Sequence, residues 1–268
     1  MGKEKQLHII AIDWSGAASG ARRKIWLAEY RDCHVTRLEC GRSRDEIADH
    51  LIELAQGDSE LVVGLDFAFS LPAWFLDERR LTAASELWAL ASEDAERWLR
   101  GCEPPFWGRP GRQRPRMPAE YRLTDRAVPS MNGILPKSVF QVGGPGAVGT
   151  GSLRGMPFLH RLKNAGFTIW PFDDRSGPTI IEIYPRVLTG SIVKSNGEAR
   201  ASRIRERYPT ITDETATKAS SSDDAFDALV SALVMGTHAS ELRNLRRTTN
   251  DCVRKEGWIW CRESPLPA

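Results

Sequence analysis

Two apolar runs that each end in a carboxylate constrain this chain more than any other feature. His8-Ile9-Ile10-Ala11-Ile12 delivers Asp13 ahead of Trp14-Ser15-Gly16, and Leu61-Val62-Val63-Gly64-Leu65 delivers Asp66 ahead of Phe67 and Ala68. Apolar runs of this length, bounded by turn residues, read as strands buried on both faces. A carboxylate at such an end is costly unless it is paired or holds a cation. Taken alone, Asp13 is either a cap for the turn Ser15-Gly16-Ala17 or a ligand.

The segments between these runs define a mixed α/β opening. Lys24–Tyr30 and His34–Glu39 read as second and third strands, joined by connections short enough for antiparallel neighbours. Ser43–Gly57 carries Ile47, Leu51 and Leu54 at helical spacing, which predicts a crossover helix. The Asp66 strand, Leu61–Ala68, is then expected parallel to the Asp13 strand. Thr168–Pro171 offers a short extended piece, Thr179–Pro185 a fifth strand containing Glu182, and Gly257–Trp260 a closing extended segment. Ser222 as N-cap, acids in the first turn and apolar residues at helical spacing predict a helix over Ser220–Val234.

The middle of the chain breaks this pattern. After a helix-like stretch, Ser85–Arg100, the sequence becomes rich in Pro, Gly and Arg, and residues 73–140 read as an insertion within one domain spanning 1–268. Arg109, Arg112, Arg114 and Arg116 are candidates to grip phosphates, with Trp107 and Tyr121 available to stack on bases. The alternative is a solvated loop. The Gly-rich run Gln141–Ser152 lacks G-K-[ST], so it reads as a hinge before a helix over Pro157–Ala165.

Bulk properties exclude several classes. The formal net charge of +2 names no partner, and the five cysteines never fall in C-x-x-C spacing, which fits a reducing cytoplasm. No apolar stretch approaches the ~20 residues that span a bilayer, and Met1–Lys5 opens no signal-peptide core. A soluble, cytoplasmic protein without membrane contact is expected.

If the Asp13, Asp66 and Glu182 strands lie parallel and adjacent, their acids gather at one sheet edge, where open α/β sheets bind ligands. Asp227, beside Phe226 and Val230, lies beyond the first helical turn and asks for a partner. Clustered carboxylates cannot all ionise without a cation, and an all-oxygen set suits Mg²⁺ or Mn²⁺. In-line phosphoryl displacement by water uses such sites. Asp13, Asp66, Glu182 and Asp227 are the candidate metal ligands, and Asp224 joins them as a candidate catalytic residue. A non-catalytic nucleic-acid-binding module is the alternative. A sugar-kinase-like protein would need two such lobes, and one fills most of this chain.

These residues also carry a resemblance. Strand-borne Asp13 and Asp66 with helical Asp224-x-x-Asp227-Ala resemble the acidic set of RNase H-like nucleases and resolvases. More closely, Ile12-Asp13-Trp14-Ser15-Gly16, Leu65–Pro72, Glu182-Ile183-Tyr184-Pro185 and Asp223–Leu229 resemble domain-of-unknown-function family 429. Its members are described as predicted RNase H-like nucleases. The resemblance spans about residues 8 to 236, the Arg-rich insertion excepted. It implies an RNase H-like five-stranded sheet of order 3-2-1-4-5 flanked by helices, and nuclease activity on DNA or RNA.

Overall fold

The computed structural model describes residues 6–131, 133–261 and 266–267. In chain order the elements are β1 (His8–Asp13), β2 (Trp26–Arg31), β3 (His34–Cys40), α1 (Arg44–Gly57) and β4 (Leu61–Leu65). Then come α2 (Ala73–Glu78), α3 (Ala84–Gly101), α4 (Leu123–Ala127), α5 (Val148–Asn164), β5 (Thr168–Ile169) and β6 (Thr179–Glu182). The chain closes with α6 (Pro185–Thr189), α7 (Gly197–Arg207), α8 (Asp213–Ser220), α9 (Asp223–Thr237), α10 (Ala239–Arg243) and α11 (Asp251–Glu256).

The strands form one mixed sheet in the order β3-β2-β1-β4-β6-β5. β3, β2 and β1 are antiparallel neighbours, whereas β4 runs parallel to β1, β6 to β4 and β5 to β6. The α/β class therefore stands, but a five-stranded 3-2-1-4-5 sheet does not. Among the described residues the sheet has six strands, because Thr168–Ile169 pairs outside β6 although it precedes β6 in the chain. The closing segment adds an isolated parallel bridge, Ile259 to Glu182, rather than a full strand.

Strand alternation divides the core. Ile10, Ile12, Val63, Leu65 and Ile180 pack on one face with α1, α3 and α5. Ile9, Ala11, Val62, Ile181 and Ile183 pack on the other with α9 and with Trp258 and Trp260. Full burial of Phe226, Leu229 and Val230 on α9 contributes about 1.5–3 kcal/mol each. Local chemistry starts the helices: Ser43 and Glu46 close a reciprocal capping box on α1, and Ser222 Oγ accepts from the Ala225 amide at 2.9 Å to open α9.

The Gly-rich run before residue 157 is not a hinge. Helix α5 begins at Val148, inside it. The glycines allow contact rather than motion: a Cβ on Gly155 would lie 2.5 Å from the Phe67 ring, and one on Gly16 would lie 2.4 Å from the Gly151 amide nitrogen. The segment 73–140 contributes to the same core, since Phe75, Leu87, Trp88, Ala91 and Phe140 join the cluster on the α1 face. Among the described residues, no helix is long and apolar enough to cross a membrane.

Candidate functional site

The carboxyl ends of β1 and β4 bring two acids side by side. Ile12 pairs with Leu65 in the last rung of the parallel ladder, and the Asp66 amide donates to Ile12 O at 3.1 Å. The next rung is Asp13 beside Asp66. A side-chain period of two sends both to the face of Ile9, Ala11 and Val62, where α9 packs. Among the described residues no amide of the turn donates to Asp13; the Ala17 amide donates to Ser15 Oγ at 3.3 Å.

Helix α9 brings a third acid. Asp223 is exposed, Asp224 half-buried, and Asp227 largely buried, with Oδ1 buried and unpartnered among the described residues. Asp227 Oδ2 accepts from Lys194 Nζ at 2.6 Å. The electrostatics reflect this crowding. Burial first, then Asp66, Asp227 and Asp224, push the Asp13 carboxyl well above the usual range. Burial and Asp227 raise Asp66 to about 8. Burial raises Asp227 to about 6 against the pull of Lys194. Tyr184, at the start of α6, is raised to about 12 by burial and by Asp66.

Glu182 raises Asp66 by its charge and lines the same cleft, but its carboxylate is bonded to other partners. It pairs with Leu65, one rung short of Asp66, so alternation turns it to the opposite face; Ile183 holds the register position beside Asp66. There Arg122 meets it with two bonds, Nη2 to Oε1 at 2.5 Å and Nη1 to Oε2 at 2.8 Å. The Phe69 amide also donates to Oε2, at 2.9 Å. Asp125 completes the group, accepting from Arg122 Nη2 at 2.8 Å. Burial opposes a charge on Arg122, but Asp125 and Glu182 outweigh it and raise its pKa further. Burial pushes the Glu182 carboxyl above its ordinary range against the pull of Arg122 and the Phe69 amide, whereas the guanidinium does not deprotonate in a protein.

A cleft of about 550 Å³ opens above the sheet edge, lined by Asp66, Tyr184, Lys24, Lys137, Trp14 and the first turn of α5, among others. Lys24 also acts on Asp224. Sequence reasoning missed Lys24, Lys137, Tyr184 and Lys194, and it read Arg122 only as one more arginine of the Arg-rich segment, not as the partner of Glu182. Tyr184, two residues after Glu182, sat within a motif already singled out.

The Arg-rich segment divides. Arg112 and Arg116 are exposed and Arg109 half-exposed, with no ion pair among the described residues, whereas Arg114 is bound to Glu120. Trp107 is not a free stacking platform. Its backbone bridges to Gln141 and Val142, its ring packs on the core, and its indole N–H is buried.

As they stand, no three His, Cys, Asp or Glu side chains among the described residues converge closely enough to hold a metal ion. Asp13, Asp66 and Asp227 feel one another's charge, and the cation that reaches them is Lys194. No family profile, curated protein or solved structure matches this chain.

Proposed function

We propose that the protein is a divalent-metal-dependent nuclease on an RNase H-like sheet, hydrolysing phosphodiester bonds of nucleic acid. The observation that carries this reading is the single rung of Asp13 and Asp66 at the ends of adjacent parallel strands, faced by Asp227 from α9. Burial raises all three, with Asp66 and Asp227 adding to Asp13 and Asp227 adding to Asp66, so without a stronger cation the site holds protons rather than full charge. The antiparallel β3-β2-β1 unit followed by a parallel β4 supports the RNase H-like assignment.

The donor set fits Mg²⁺ or Mn²⁺: oxygen only, with the buried Asp227 Oδ1 lacking a partner. Asp13, Asp66 and Asp227 would hold the ion, and Asp224 would hold a bound water. Such an ion, when bound, activates water and stabilises charge on the phosphoryl oxygens. The remaining work falls to the chain itself. Lys24 and Lys137 bind and orient the backbone phosphates in the cleft, and Tyr184 offers a hydroxyl as a hydrogen-bond donor. Glu182 and Arg122 hold the cleft wall rather than the ion.

A non-catalytic nucleic-acid-binding module is the second reading, favoured by the ammonium already bonded to Asp227. Labelled single-stranded and duplex DNA and RNA, incubated with Mn²⁺, Mg²⁺ or EDTA, separate the two. Metal-dependent cleavage that disappears in Asp13→Asn supports the nuclease. Binding without cleavage under every condition supports the module.

A further inference from the structure

We propose that the cleft beside Asp66 takes one unpaired nucleotide of a single strand, its phosphate at the start of α5 and its base against an apolar rim. The inference rests on the nucleic-acid reading that the nuclease and the binding module share, and it names the form of nucleic acid that fits.

The phosphate position follows from charge. Helix α5 opens at Val148 with no side-chain cap and no acid in its first turn. Lys137 lies across the turn before it: a Cβ on Gly146 would be 3.3 Å from Lys137 Cε and 3.6 Å from Nζ. An ammonium at the positive end of a helix dipole is unfavourable until an anion joins it. The amides of Val148 and Gly149 already donate to Gly146 O and Gln141 O, so the pull on that anion is one of field rather than of amide bonds. Lys24, two residues before β2, brings a second exposed ammonium to the same cleft. The turn after β1, which lines it too, is held in place. Arg44 donates to Ser15 O and Ala17 O, each at 2.6 Å, and Arg154 donates to Gly16 O. Two guanidiniums thus bind three successive carbonyls, so this wall is ordered before a ligand arrives.

The rest of the cleft suits a base. Its volume of about 550 Å³ falls within the range of small-molecule sites, and Trp14, Val139, Val148 and Ile259 give it apolar walls. Five large apolar side chains are exposed among the described residues, and three of them belong here. Val148 lines the cleft itself, while Ile134 and Leu135 directly precede Pro136 and Lys137, which line it. Tyr184 offers a hydroxyl to the edge of a base. A duplex cannot use these features, because its base faces are stacked inside and its edges are paired. An unpaired base presents both a face and an edge, and its phosphate supplies the charge the lysines lack. Asp66 lines the same cleft, which sets an entering nucleotide beside the acids of the nuclease reading.

The test measures fluorescence anisotropy with the full chain in EDTA and about 200 mM salt, where purely electrostatic attachment is weak. The probes are a short labelled strand, as DNA and as RNA, the same strand annealed to its complement, and an abasic strand carrying the same phosphates. The better-bound strand should bind about tenfold more tightly than its duplex or the abasic strand, the order of effect that one base stacked on a protein surface provides. This comparison needs no variant to fold. Replacing the exposed Leu135 and Val148 together by Ser should erase the advantage of strand over duplex, and Lys137→Gln should weaken strand binding several-fold. Equal affinity for strand and duplex overturns the inference. An abasic strand that binds as well as the intact one assigns the binding to phosphates alone and overturns it too. A nucleoside monophosphate that binds as tightly as the strand makes a free nucleotide the occupant, and overturns the strand as its source. Strand binding without Mn²⁺-dependent cleavage removes the nuclease reading and leaves this inference standing. If no probe binds, the nucleic-acid reading falls and this inference with it.

Discussion

Arg122 and Glu182, sixty residues apart, form a two-point ion pair in which both side chains are almost wholly buried. The guanidinium comes from the segment inserted after β4, the carboxylate from the end of β6. The pair therefore fastens the insertion to the sheet edge. Removing one partner of a buried pair strands the other charge, which typically costs about 3–5 kcal/mol. Arg122→Met should lower stability by that order in urea denaturation. Glu182→Gln keeps a carbonyl acceptor and should cost less, and it should leave Mn²⁺ affinity unchanged. A marked loss of Mn²⁺ binding in Glu182→Gln would restore Glu182 to the ligand set.

Stability of the metal-free protein should fall as pH rises. Asp66 has its ordinary value of 3.8 in the unfolded chain and about 8 in the fold, owing to burial and to Asp227. Across that window the folded state holds a proton that the unfolded state has released, so the slope of stability against pH is negative. Below the ordinary carboxylate value both states are protonated and the penalty vanishes; above about 8 it is complete. Asp227, raised to about 6, steepens the lower part. Asp66→Asn should flatten the slope and raise the melting temperature at pH 8 by ~2–4 °C for each kcal/mol recovered. A flat wild-type profile between pH 5 and 8 would show that the acids are already neutralised.

How far the sequence revealed this site follows from the range of each interaction. Asp13, Asp66 and the α9 acids were legible because strand termination and helix capping are written within a few residues. The face on which each acid falls was equally local, yet it needed the β4–β6 register. A one-residue offset decided whether Glu182 or Ile183 stood beside Asp66. Lys194 and Arg122 left no periodic trace, because each reaches its carboxylate across tens of residues of irregular chain. The start of α5 was hidden by its glycines, whose low helix propensity is overridden by close packing on Phe67.

The exposed arginines give a separable expectation for binding. Arg109, Arg112 and Arg116 are without ion pairs among the described residues, so their charges are free to meet phosphates; Arg114 already meets Glu120. Replacing the first three by Gln should weaken nucleic-acid affinity and reduce the salt slope by about 0.7–0.9 for each phosphate no longer neutralised. Arg114→Gln should change the slope least. An unaltered slope in the triple variant would make this segment a solvated loop.

The last expectation ranks the acids of α9 by their surroundings. Asp227 is the most enclosed, bonded to Lys194 through one oxygen and open at the other. Asp224 is half-buried, its carboxyl raised by burial and then by Asp223, with Lys24 pulling it down. Asp223 is exposed in the first turn, where it complements the helix dipole. Asp227→Asn should therefore reduce Mn²⁺ affinity and metal-dependent cleavage most, by at least the roughly 10–100-fold that loss of even an outer partner of a metal site costs. Asp224→Asn should cost less and should leave the metal-free protein no less stable, because it removes a carboxyl that burial disfavours. Asp223→Asn should be nearly silent in both measurements. Calorimetric titration of Mn²⁺ into the three variants, beside their melting curves in EDTA, reads both quantities. If Asp223→Asn proves as damaging as Asp227→Asn, α9 presents its Asp223 edge to the sheet instead.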